Sequence, residues 1–125
     1  MNIGRYLCMA ALYFLLLIPN AFAGDRWDRT DKLLLATATV THTLDYSQTL
    51  HTARNPDHYK DLNPMLGPHP SEMAVRNYFI AGMVVKIVVA ELLPSKWRKA
   101  WLGGWTLVNG ACVANNYSQG LKFEW

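Results

Sequence analysis

The sequence predicts an all-α protein: a three-helix membrane bundle behind an N-terminal signal sequence, with a Pro-rich loop between the first two helices. Three observations carry this expectation. Apolar residues make up 51% of the 125, far more than a disordered chain holds, so the chain must bury a core or sit in a bilayer. Beyond residue 23, three long segments without interior Pro, about 32–53, 71–93 and 96–118, take up most of the length. Between the first two lies Asp45 to Pro70, DYSQTLHTARNPDHYKDLNPMLGPHP, where polar chemistry and proline-forced turns are concentrated. The net charge is only +3 with both signs interspersed, and no Lys/Arg cluster interleaves with aromatics, which excludes nucleic acid as the expected partner.

Residues 1–23 read as a signal peptide. Arg5 supplies the positive n-region, Tyr6 to Ile18 the apolar run, and Ala21-Phe22-Ala23 a cleavage site before Gly24. Cleavage after Ala23 leaves 24–125 as a single helical domain. The competing reading is an uncleaved first membrane helix, against which stands an apolar run shorter than the ~20 residues of a span. Cys8 precedes most of that run, unlike a lipobox cysteine. Removal of the signal leaves Cys112 alone, so no intramolecular disulfide can form, and Cys112 is expected as a small buried residue.

GDRWDRTDK, 24–32, is a charged lead-in whose Trp27 suits a membrane interface or the end of a bundle. Thr30 or Asp31 is the expected N-cap, and a helix should start near Lys32. In 33–53, Thr at 37, 39, 41 and 43 gives a strand-like alternation. Length without Gly or Pro favours helix, and helical spacing then gathers Thr41, His42, Asp45, Gln48, Thr49 and Thr52 on one side. Asn55-Pro56-Asp57 reads as the start of a further helical turn to Leu62, with Asn as cap and Pro at its first position. Asn63-Pro64, Gly67-Pro68 and His69-Pro70 force a rigid loop, and Ser71 caps the second helix. From Glu72 that helix runs on through NYFIAGMVVKIVVAELL, an apolar run with Lys86 in its middle and Glu91 near its end, and Pro94 stops it. Ser95 is the expected cap of the third, which opens with the basic, aromatic KWRKAW. Its Gly103, Gly104, Gly110, Ala111 and Ala114 would let helix backbones approach closely.

Trp27 to Lys32 (W-x(3)-DK), Asp45 to Thr49 (D-Y-x-Q-T), Asn63 to Ser71 (N-P-x-L-G-x-x-P-S), Tyr78-Phe79, Leu93 to Arg98 (L-P-x-x-W-R) and Asn116 to Gly120 (N-Y-x-x-G) together span nearly the whole chain after residue 23. In these motifs the chain resembles an uncharacterised family of small predicted membrane proteins of proteobacteria and their phages or prophages. The resemblance implies kinship and location, with no activity attached. It agrees with the aromatic band KWRKAW and a nearly all-apolar second helix in favouring the membrane over a soluble periplasmic bundle. The expected location is the cell envelope, at the bacterial inner membrane. Sidedness stays open: the positive-inside rule mildly places Arg26, Arg29, Lys32, Lys96, Arg98 and Lys99 in the cytoplasm, whereas a cleaved signal leaves Gly24 outside.

The candidate polar centre is His42, Asp45, Gln48, Thr49, Asn63 and Lys86. Its favoured role is structural, with Asp45 and Gln48 bonding backbone groups of the NPMLG turn around Asn63. Asp45 and Lys86, each in the middle of its helix, should approach each other, because an isolated charge in hydrocarbon is costly. No H-E-x-x-H, nucleophile elbow, ordered triad or Gly-rich phosphate loop occurs. No metal and no cofactor are therefore expected, and no catalytic residue is assigned. The expected function is that of a small, non-enzymatic envelope membrane protein with an interaction or accessory role. Its partners would be membrane lipid and either another protein or further copies of itself. The alternative is a membrane-embedded enzyme or an ion- or metal-handling protein using Asp45, His42 and Lys86.

Overall fold

The structure, a computed structural model, describes residues 25–125; the signal peptide expected over 1–23 lies outside the described residues. Three helices follow in order, α1 Arg29–Arg54, α2 Glu72–Leu92 and α3 Ser95–Ser118. No strand occurs among the described residues. The long 55–71 connection and the short turn at Pro94 make α2 antiparallel to its neighbours, so α1 and α3 run parallel. α1 packs most extensively on α3, less on α2, and α2 and α3 touch least.

The alternating threonines of α1 are compatible with helix for a specific reason. The hydroxyls of Thr37, Thr39, Thr41 and Thr43 donate to the carbonyls of Leu33, Leu35, Thr37 and Thr39 at 2.6–3.1 Å, so each polar group is consumed within its own helix. α1 begins earlier than the sequence suggests. Asp28 is the N-cap, its carboxylate accepting from the Asp31 N–H at 2.8 Å while Asp31 accepts from the Asp28 N–H at 3.0 Å. This reciprocal box satisfies two otherwise orphaned donors. The Lys99 ammonium, 2.8 Å from Asp28, holds that carboxyl below its ordinary range.

Asn55-Pro56-Asp57 does not start a helix. Asn55 ends α1 instead, its amide donating to the His51 carbonyl at 2.8 Å and its own carbonyl accepting from His58 and Tyr59 in a tight turn. The loop is then pinned locally: the Asn63 side chain accepts from the Met65 N–H, the Asn63 carbonyl from Leu66 and Gly67, and Gly67 takes φ 79°, as a turn there requires. Ser71 caps α2 through its hydroxyl, 3.1 Å from the Ala74 N–H. Ser95 is the first residue of α3 and not its cap; the carboxylate of Asp25 accepts its N–H at 3.1 Å.

Burial is inverted relative to a water-soluble bundle. Two of the helices bury one narrow stripe, Val75, Phe79, Lys86 and Ala90 on α2 and Arg98, Leu102 and Asn109 on α3; α1 buries Asp31, Ala38, Asp45 and Thr52 at seven-residue spacing with His42 beside them, and is covered all round from Ser47 to Thr52. Heptad spacing of this kind is the seam of nearly parallel helix packing, yet here many of its positions are polar. Val84, Val85, Ile87, Val88, Leu107 and Val108 point outward and are exposed.

Arg98, expected in an interfacial basic band, is wholly buried. Its guanidinium reaches Asp31 at 3.0 Å and the carbonyls of Ala90, Leu93 and Asp25 at 2.8–3.0 Å, and lies 4.7 Å from the centre of the Trp27 ring. A planar fork with five donors can tie three segments together where a lysine could not. Cys112, expected buried, is exposed, because it sits off the stripe through Arg98, Leu102 and Asn109. The small-residue packing expected of α3 is absent among the described residues: a Cβ added at Gly103, Gly104 or Gly110 would meet nothing within 4 Å, and Ala111 and Ala114 are exposed. The glycine that faces another helix is Gly82 on α2, where an added Cβ would stand 3.5 Å from His42 Cε1, an ordinary van der Waals distance.

At its end α3 closes with Gly120 at φ 80° and bonds from the Gly120 and Leu121 N–H groups back to Tyr117 and Asn116, a Schellman closure that buries Leu121. The tail then docks on α1. Ser47 Oγ donates to the Glu124 carbonyl and accepts from its N–H, both at 2.7 Å, and the Glu124 carboxylate meets His51 at 2.8 Å and Arg54 at 3.0 Å. His51 and Arg54 hold the Glu124 carboxyl below its ordinary value of 4.5. A depressed acid contributes stability above its unfolded value and loses it as pH falls through the lower folded value. Amide exchange over 121–125, corrected for intrinsic rates, should stay slow at neutral pH and rise only below about pH 4.5, while Glu124→Gln should exchange quickly throughout. A tail equally protected in the variant would contradict the docking.

Candidate functional site

The interior of the bundle is a polar column in three storeys. The lowest is the Asp31–Arg98–Lys99 cluster and the highest is the Ser47–His51–Arg54–Glu124 group. The middle storey holds His42, Asp45, Lys86 and Asn109, about 20 Å from Asp31 along α1 at 1.5 Å per residue. Seam position on each helix places these groups. His42 and Asp45 are three residues apart on the buried side of α1, Lys86 lies two turns beyond Phe79 on α2, and Asn109 lies two turns beyond Leu102 on α3.

Their hydrogen bonds run in one line. His42 Nε2 is 2.9 Å from the Phe79 carbonyl oxygen, which can only accept, so Nε2 carries the proton. Nδ1 is then a bare acceptor facing Lys86 Nζ at 3.1 Å. The Lys86 ammonium also donates to Asn109 Oδ1 at 3.1 Å, and Asn109 Nδ2 donates to Asp45 Oδ2 at 3.0 Å. Both the histidine tautomer and the orientation of the asparagine amide are thereby fixed by their neighbours. Lys86 Nζ further lies 5.2 Å from the centre of the Trp105 ring, and Trp101 Nε1 donates to the Lys86 carbonyl at 3.0 Å. The column is electrically balanced at this depth, one cation against one anion with a neutral imidazole alongside.

The sequence-predicted residues divide accordingly. His42, Asp45 and Lys86 come together, but Asp45 and Lys86 do not meet directly; the amide of Asn109 stands between them. Gln48 is fully buried beside the same column, donating to the Val113 carbonyl at 3.3 Å and leaving its Oε1 without a partner among the described residues. Thr49 is buried on the same side and makes no side-chain hydrogen bond among the described residues. Asn63 is apart, engaged with its own loop. Asp45 and Gln48 do not brace the NPMLG turn as expected; both reach α3, because the loop is held by its own Asp61, Asn63 and Pro68.

Sequence reasoning missed Asn109 and the Asp31–Arg98 pair. Seven-residue spacing from Leu102 through Asn109 to Asn116 was the available signal, overshadowed by the glycines around it. Among the described residues, no group of three or more His, Cys, Asp or Glu side chains converges as a metal site. No family model, curated protein or solved structure matches the chain, so the column is read from its own geometry.

Asn109 satisfies two buried charges at once, and its loss strands both. Asn109→Leu should destabilise the protein by about 3 kcal/mol or more, whereas Gln48→Met, which removes an already orphaned oxygen, should cost less than about 1 kcal/mol. Equilibrium unfolding of the purified variants checks this; equal losses would dissolve the bridging role.

Proposed function

We propose that this chain is a small membrane protein of the cell envelope with an interaction or accessory role and no catalytic chemistry of its own, and that its polar column pins three helices together within a bilayer. The observation that carries the reading is the inverted burial: ionisable and amide side chains inside, aliphatic side chains outside. Among the described residues α2 is the one helix long and apolar enough to cross a membrane, and only 22% of that span is buried. A core helix of a water-soluble protein would be mostly covered. Its 21 residues rise about 32 Å, close to the ~30 Å of a hydrocarbon layer.

Aromatic placement supports the same reading. Trp27 and Trp97 stand at one end of the bundle, Tyr117 and Trp125 at the other, and the exposed Val84, Val85, Ile87, Val88, Leu107 and Val108 lie between. Tyr and Trp favour such interfacial levels. The exposed threonines of α1 conceal their hydroxyls in their own helix, which lets that face meet lipid without orphaned donors.

A pinning role fits the way the column spends its groups. Both nitrogens of His42, both amide atoms of Asn109 and an oxygen of Asp45 are engaged with one another or with backbone, leaving no acid–base pair directed at a substrate. The reading predicts that alkaline carbonate leaves the expressed full chain in the membrane pellet, that detergent releases it, and that the purified protein carries no stoichiometric metal. Recovery in the carbonate supernatant would contradict the membrane assignment. A bound metal lost in Asp45→Asn would favour an ion-handling centre instead.

A further inference from the structure

A groove of about 320 Å³ opens between α1 and α2 on the outer face of the bundle, within the size range of small-molecule sites. Its lining is graded along the helix axis. Toward the middle of the bundle lie Ile80, Met83 and the edge of the His42 ring, with Phe79 above them. His42 shows only carbon here in effect, since its nitrogens are bonded to Phe79 and Lys86, and the hydroxyl of Thr43 is turned into its own helix. Toward the 55–71 loop the groove ends at Tyr46 and Arg76. Tyr46 rests on Phe79 with ring centres 5.5 Å apart. Neither the Tyr46 hydroxyl nor the Arg76 guanidinium has a hydrogen-bond or ion-pair partner among the described residues. Every other polar group lining the groove is satisfied, so these two donors at one end are what an occupant's polar part would meet.

We propose that this groove seats one anionic phospholipid, its phosphate on Arg76 and Tyr46 and one acyl chain lying along Phe79, Ile80 and Met83. The inference rests on the membrane reading above. Three features select this occupant. The donors are cationic and phenolic, matching a phosphate diester, for which arginine is the best-shaped partner. Arg76 lies in the second turn of α2 at the loop end, the depth of a headgroup. From Arg76 to Met83 the apolar floor runs seven residues, roughly 10 Å toward the membrane centre, the direction an acyl chain takes. A zwitterionic lipid would bring its ammonium against Arg76, so the anionic class is preferred.

The test uses the full chain reconstituted in nanodiscs of phosphatidylcholine containing a minor fraction of phosphatidylglycerol, followed by native mass spectrometry of the released protein. The parent should retain one phosphatidylglycerol in preference to phosphatidylcholine. Arg76→Gln should weaken that retention about tenfold, Ile80→Trp should fill the groove and abolish it, and Lys122→Gln, an exposed cation away from the groove, should behave like the parent. Unchanged thermal unfolding of Arg76→Gln would show that lost retention is not lost fold. Equal retention of the two lipids by the parent, or equal retention by Arg76→Gln and Lys122→Gln, overturns the site while leaving the membrane assignment intact. Failure of the parent to enter nanodiscs overturns both.

Discussion

The structure depends on one constraint: the charges placed inside it must satisfy each other. Asp45 and Lys86 sit at mid-height on different helices, and in the proposed bilayer a lone charge at that depth would cost about 2.5–3.5 kcal/mol by insertion scales. Joining them through Asn109 recruits the third helix, because the amide must accept from one and donate to the other. His42 completes the shell with the one tautomer that its backbone partner permits. Three helices are thus required to close one short chain of bonds, and its geometry fixes their rotation as well as their proximity. Buried polar groups that specify register at some expense of stability are the best-attested use of such contacts; here many seam positions are built in that way.

The two outer storeys repeat the device where the charges are nearer the ends. Arg98 gathers α1, the end of α2 and the lead-in around a fully buried ion pair with Asp31. Glu124 folds the tail back onto α1 through Ser47, His51 and Arg54. Both clusters couple segments distant in sequence, so the bundle is clamped above and below the mid-height column. The groove between α1 and α2 lies on the outside of the same column, sharing His42 and Phe79 with it, and a lipid seated there would touch the ring that accepts from Lys86.

Much of this was legible in the residues. The polar face of α1 followed from the spacing of His42, Asp45, Gln48, Thr49 and Thr52, and the need of Lys86 for a partner followed from the apolar run around it. Helix ends set by local chemistry, Ser71 and Pro94, were also readable. What failed were judgements requiring knowledge of the neighbour. Asn55-Pro56-Asp57 has the composition of a helix start, but the Asn55 amide is used by the helix behind it. Arg98 looks interfacial beside Trp97 and Lys96 until α1 supplies Asp31. Asn109 looks incidental among glycines until Asp45 and Lys86 stand on either side. The glycines of α3 suggested a packing face, whereas the seam runs beside them through Arg98, Leu102 and Asn109 and leaves them open. A sequence states which groups need partners; only the register of three helices decides which partner each receives.

Whether that register sits in a bilayer is decided at the surface. In the full chain with Cys8 and Cys112 replaced by Ser, spin labels placed singly at Val84, Val88 and Leu107 and reconstituted into lipid report local oxygen and water-soluble nickel chelate. The inside-out bundle predicts high oxygen and low chelate accessibility at all three sites, with the reverse at Asp57 in the loop. Chelate accessibility at Val84 and Val88 equal to that at Asp57 would contradict it and return the chain to a water-soluble bundle.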